Sequence, residues 1–141
     1  MTDDDNWDLY ADAVIECEID GLRHPLRGPE AEPLPAAPPI FVLTAYNPMG
    51  EERAAELNVV AERELEQVLA SEGITFWTAI GRSRDASWSE PGVAVVGLGR
   101  AEACELGVRC RQLAVYELTA ADVHVVRCSD GEIVRTRARA E

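Results

Sequence analysis

The sequence predicts an α+β domain in which two helices cover one face of a mostly antiparallel sheet. Two observations predict it. From Ile40 onward, apolar runs of strand length alternate with two segments of helical periodicity, in the order β-α-β-β-α-β plus a terminal hairpin. The 141 residues are 47% apolar, enough for one core of ordinary domain size. Such an order belongs to two-layer α/β sandwiches, of which the ferredoxin-like arrangement is one. The same elements in another strand order form the alternative, because periodicity identifies elements and not their neighbours.

The elements follow in turn. Residues 1–39 read as an acidic N-terminal arm, and residues 40–141 as a single α/β domain. Within the arm, Ala13, Ile15, Cys17 and Ile19 alternate with Val14, Glu16 and Glu18, a period of two that predicts a half-buried strand over Tyr10–Ile19. The stretch Gly28–Pro39 holds five of the eight prolines, removes ladder N–H groups and reads as a linker. Ile40–Tyr46 is a β-rich run suited to a central strand. Asn47-Pro48-Met49-Gly50 breaks it. Glu51–Glu72 is an amphipathic helix with Ala54, Leu57, Ala61, Leu65 and Val68 on its apolar face, closed by Gly73. Ile74–Ile80 is the next strand, Gly81–Pro91 a polar loop, and Val93–Leu98 a short apolar strand. Arg100–Arg109 is a second helix, burying Ala103, Leu106 and Cys110. Leu113–Leu118 and His124–Cys128 are strands. The turn Ser129-Asp130-Gly131-Glu132 leads into a last strand at Ile133–Thr136.

Charge excludes several functions. There are 26 acidic and 13 basic side chains, a formal net charge of −13. This argues against direct nucleic-acid binding, which needs a basic footprint, and against anionic membranes. The charge is uneven: residues 1–39 hold ten acids and two Arg (net −8), and residues 40–141 hold 16 acids and 11 Arg (net −5). Every basic residue is Arg, which with abundant Ala, Val and Glu resembles the codon bias of a GC-rich bacterial genome. The acidic start Met-Thr-Asp-Asp-Asp-Asn lacks the features of a signal peptide, so a cytoplasmic location with reduced thiols is expected. Cys17, Cys104, Cys110 and Cys128 form no CxxC pair, and neither His24 nor His124 stands at ligand spacing from them. No metal site and no cofactor is predicted, and the cysteines read as small buried hydrophobes.

Two segments concentrate polar chemistry. In Thr44-Ala-Tyr-Asn-Pro48 a buried strand delivers Thr44, Tyr46 and Asn47 into a strand-to-helix junction, where open sheets present ligand-binding groups. The plainer reading is that Asn47 caps the helix. Gly50 stands alone, so no phosphate loop is present. In Gly81-Arg-Ser-Arg-Asp-Ala-Ser-Trp-Ser-Glu90, Arg82 and Arg84 offer planar forks for an anion, Trp88 a stacking face and Glu90 an acceptor or base. The plainer reading is a solvated loop anchored by Trp88. Gln112 brings an amide to the start of a core strand and either ties down a loop or faces a pocket. Asn58, a poor mid-helix residue flanking the apolar face, implies a specific hydrogen bond. Of Tyr116 and Glu117, the alternation lets one face the core.

Thr44-Ala-Tyr-Asn-Pro48, Asn58, Gly81-Arg82, Trp88 with Glu90, Val95–Leu98 and Arg111-Gln112-Leu-Ala-Val-Tyr116 stand in an order and spacing that resembles the bacterial family called domain of unknown function 3293. The resemblance covers roughly residues 40–118. It implies a small cytoplasmic bacterial domain and supplies no activity. Family members usually have Phe-Gly before the glutamine and Asn after it, whereas this chain has Cys110-Arg111 and Leu113.

Two functions are open. One is binding of a small anionic or nucleotide-like ligand by Thr44, Tyr46, Asn47, Asn58, Arg82, Trp88, Glu90 and Gln112. Catalysis there would rest on Glu90 as acid–base group beside Arg82, although such a pair more often serves structure. The other is a protein-interaction module or accessory subunit whose acidic residues 1–39 bind a basic partner.

Overall fold

The computed structural model describes residues 3–47 and 51–141. Pro48, Met49 and Gly50 of the expected chain break lie outside the described residues. Helix α1 (Asp3–Ala11) precedes strands β1 (Val14–Ile19), β2 (Leu22–Arg27) and β3 (Ile40–Leu43). Helix α2 (Ala55–Ser71) leads to β4 (Phe76–Arg82) and β5 (Ser89–Val96). Helix α3 (Arg100–Arg109) is followed by β6 (Ala114–Leu118), β7 (Asp122–Arg127) and β8 (Ile133–Ala138).

All eight strands join one sheet in the order β2-β1-β4-β5-β3-β6-β7-β8. Every neighbouring pair is antiparallel. The sheet curls into a half-barrel. Its two edge strands converge at one end, where Gly28 N–H, just past β2, donates to the carbonyl of Arg139, just past β8 (2.9 Å). Leu26 of β2 and Val123 of β7 consequently share one apolar cluster with Ile15, Val42 and Ala94, and this is the concave face.

The expected two-layer, ferredoxin-like sandwich with two helices is therefore corrected to a curled eight-stranded antiparallel sheet with three helices. Helices α2 and α3 do share one face, packing Leu65, Leu69, Ala103 and Leu106 on Phe41, Val93 and Val95. The other face is covered as well. There α1 packs Trp7 and Ala11 on Val125, and Leu34 and Ala36 of the Pro-rich segment pack on the concave cluster. From within residues 1–39, β1 and β2 are part of the sheet, since β1 hydrogen-bonds to β4 along Val14–Glu18 and to β2 on its other side. With both faces covered, Tyr116 and Glu117 are each accommodated: Tyr116 packs with the concave clusters, and Glu117, 6% exposed, pairs with Arg100 of α3 at 2.7 Å.

Helix α2 begins later than expected, at Ala55, and its buried stripe is Asn58, Glu62, Leu65 and Leu69. Leu57, assigned to the apolar face, is 57% exposed. Strand β3 ends at Leu43, so Thr44–Asn47 leave the sheet without strand pairing. The expected loop from Gly81 shrinks to a hairpin connection, because β4 runs to Arg82 and β5 starts at Ser89.

Candidate functional site

The site grows from the end of β3. Thr44 Oγ1 donates to the Pro91 carbonyl (2.7 Å) and accepts the Tyr46 N–H (2.9 Å), tying the exit of β3 to β5. These strands are close: a Cβ on Gly92 would fall 2.4 Å from the Leu43 carbonyl oxygen. Ala45 N–H donates to Glu62 Oε2 (2.8 Å), and Thr44 Oγ1 lies 3.4 Å from the same oxygen. Asn47 takes a left-handed φ of 46°, a conformation in which Asn is enriched. Its N–H donates to Asn58 Oδ1 (2.9 Å) and its Oδ1 accepts from Asn58 Nδ2 (2.9 Å). This reciprocal pair leaves Asn47 Nδ2 to donate to Glu90 Oε1 (3.1 Å). The helix-capping reading of Asn47 is thereby replaced, because the N-cap of α2 is Ala54 and lacks a side-chain cap.

Thr44, Asn47, Trp88, Glu90 and Gln112 line one cavity of about 200 Å³. It is floored by Val42, Ala79 and Gly92 of the sheet, and joined by Tyr10 from α1 and Tyr116 from β6. The Trp88 ring lies over Gly81, where a Cβ would stand 3.8 Å from the indole. Glu90 accepts from Asn47, yet burial pushes its carboxyl above the usual range. Gln112 Nε2 donates to the Tyr46 carbonyl (2.9 Å) and the Cys110 carbonyl (3.3 Å). It thus anchors the loop and borders the cavity at once. The Tyr116 hydroxyl is buried without a hydrogen-bond partner, and burial raises its pKa. Burial and the nearby Glu90 also raise that of Tyr10.

The remaining candidates stand apart from this cavity. Tyr46 contributes its backbone carbonyl, through Gln112. Asn58 acts from behind, holding Asn47 and accepting from Arg53 Nε at 2.7 Å. Arg82 hydrogen-bonds Glu16 on β1. Arg84 donates to the carbonyls of Asp12 (3.0 Å) and Glu141 (2.6 Å). The sequence reading missed Tyr10 and Glu62. Tyr10 sits on a helix without an amphipathic pattern. Glu62 stands four residues after Asn58, a spacing that places both on one helix face. Among the described residues, no group of three or more His, Cys, Asp or Glu side chains is arranged to hold a metal ion. No helix among them is long and apolar enough to cross a membrane.

Fold and site together define an α+β half-barrel domain with one polar, aromatic cavity on its concave face. The chain belongs to the family described as protein of unknown function DUF3293, whose model matches residues 43–115, just over half of its length. The match runs from the last residue of β3 to Val115 in β6, and so includes all eight sequence-derived candidates and none of residues 1–39. No curated protein and no solved structure shows significant similarity to the chain.

Proposed function

We propose that this protein is a small-molecule-binding domain whose ligand occupies the concave cavity. One observation carries the reading. Five polar side chains from three separate segments converge on a single cavity that also contains a buried, unpartnered tyrosine hydroxyl. A buried hydroxyl without a partner costs about 1–3 kcal/mol, so a group that satisfies it is favoured there. The cavity is small beside the roughly 300–1,000 Å³ of drug-sized pockets, which suits a fragment-sized metabolite better than a nucleotide.

Catalysis has less support, since no Ser, Cys, His or Lys side chain lines the cavity beside Glu90 among the described residues. Binding of a basic partner by residues 1–39 has less as well, because carboxylates of that segment already have partners in the chain. Asp8 pairs with Arg135 (2.7 Å) and Arg137 (3.2 Å), Asp12 with Arg137 (3.4 Å), and Glu16 with Arg82. A bacterial setting is supported by composition alone, the Arg-only basic set.

The test is a thermal-shift panel of small metabolites on the full chain and on Glu90→Ala. At least one compound is expected to raise the melting temperature of the parent, and the rise should vanish in the variant while the unliganded protein stays folded. A panel without any stabilising compound, or a rise that survives Glu90→Ala, rejects the proposal.

A further inference from the structure

We infer that the ligand of this cavity is an organic cation, a protonated amine of fragment size seated at the Glu90 end. The inference rests on the ligand-binding reading above and adds the charge class to it. It departs from the anionic ligand that Arg82 and Arg84 suggest in the sequence.

The lining contains two carboxylates, Glu90 inside and exposed Glu52 at the rim, and no Arg, Lys or His. The arginines of the surrounding segments are held elsewhere. Arg82 is on Glu16, Arg84 on two backbone carbonyls, and Arg53 on Asn58 Oδ1 and the Ala45 carbonyl (3.0 Å). An anion entering the cavity would therefore lose water and meet carboxylates, an unfavourable exchange.

The hydrogen-bonding capacity left over is mainly accepting, with the unpartnered Tyr116 hydroxyl as a donor at the other end of the lining. Both Nε2 protons of Gln112 are engaged, which leaves its Oε1 as an acceptor. Asn47 Oδ1 is occupied by Asn58, and Glu90 offers further lone pairs beyond the one used by Asn47. The site thus accepts more than it donates, and an ammonium is a donor only. Tyr10, Trp88 and Tyr116 add aromatic faces, which attract cations through their quadrupoles.

The experiment titrates the full chain with matched triples: benzylammonium, benzyl alcohol and benzoate, then isobutylammonium, isobutanol and isobutyrate. Binding is read from the indole N–H resonance of Trp88, assigned with Trp88→Phe. The ammonium member of at least one triple is expected to bind about tenfold more tightly than its alcohol and carboxylate partners. Glu90→Gln, which keeps the acceptor for Asn47, should abolish most of that preference. Glu52→Gln, at an exposed side chain with little bearing on folding, should weaken ammonium binding about twofold. If an alcohol or carboxylate binds as tightly, or the preference survives both variants, the cation class fails while the ligand-binding reading stands. If no member shifts the Trp88 resonance, both fail.

Discussion

Glu62 is a charged residue placed where a helix normally buries an apolar one. Its Oε2 has the Ala45 N–H, its Oε1 is buried without a partner, and burial pushes its carboxyl up to about 7. Desolvation disfavours the ionised form, so the folded chain holds this proton through a pH range in which the unfolded chain has released it. Stability from this group is therefore full below the ordinary glutamate range and is lost as pH rises from about 4.5 to about 7. The loss is on the order of 3 kcal/mol. Glu62→Gln removes the titration and keeps an acceptor for Ala45. It should melt higher than the parent at pH 8, with the gap closing at pH 5; parallel melts at both values check this, and an equal gap refutes it. Arg111 is a second residue at odds with its place. It follows α3 with φ at 57°, the left-handed C′ position that favours glycine. Arg111→Gly should stabilise by about 1 kcal/mol, or roughly 3–5 °C in melting temperature. A scan showing no rise, or a fall, would count against the strain.

Elements meet here through small residues. Helix α3 lies so close to the sheet that a Cβ on Gly107 would stand 2.5 Å from Cys128 Sγ and 3.0 Å from Val115 Cγ1. Ala would improve helix propensity by about 1 kcal/mol, but overpacking costs about 1–3 kcal/mol and should win. Gly107→Ala is thus expected to lower stability in urea unfolding. Adding Cys128→Ala should restore part of it, giving a non-additive double-mutant cycle; strict additivity would show that the two side chains do not compete. The β1–β2 connection is a different case. Asp20-Gly21 holds two positive φ values, 53° and 80°, as a primed hairpin turn requires. That dipeptide between Ile19 and Leu22 was the signal for β2, masked by Pro25 and His24 within the strand. Helix α1 had no such signal: Asp8 faces Arg135 and Arg137, and among the described side chains of the helix Trp7 and Ala11 are buried against Val125.

The molecule as a whole is held curled at the meeting of its two ends. Arg139, 9% exposed, donates Nη1 to the carbonyls of Leu26 (3.0 Å) and Glu32 (2.6 Å), and Nε and Nη2 to that of Ala120 (3.2 and 3.0 Å). One side chain from the last residues thus joins the β2 edge, the Pro-rich segment and the β6–β7 turn. Arg139→Ala strands three carbonyls and should cost about 3–5 kcal/mol in guanidinium unfolding. Lys, lacking the planar fork, should recover only part of it. A loss below about 1 kcal/mol would mean that the curl is set by the sheet alone. Charge is distributed on the same scale. Part of the excess acidity of residues 1–39 is met by Arg82, Arg135 and Arg137 from β4 and β8, so the segment's own net −8 overstates its uncompensated negative charge.

The sequence by itself determined the elements from β3 to β8, because each is a continuous apolar run or a periodic helix whose signal is local. It also singled out most of the cavity's polar residues, since Thr44, Asn47, Trp88, Glu90 and Gln112 are polar groups attached to core strands. Only the tertiary structure decided the curl, the covered second face and the charge of the site. Those depend on which distant residues meet: Gly28 with Arg139, Arg82 with Glu16, Tyr10 with Tyr116. The two arginines that make the Gly81–Glu90 segment look anionophilic are adjacent to the cavity in sequence and turned from it in space. Their partners lie on β1 and at the C-terminus, at separations no local pattern records.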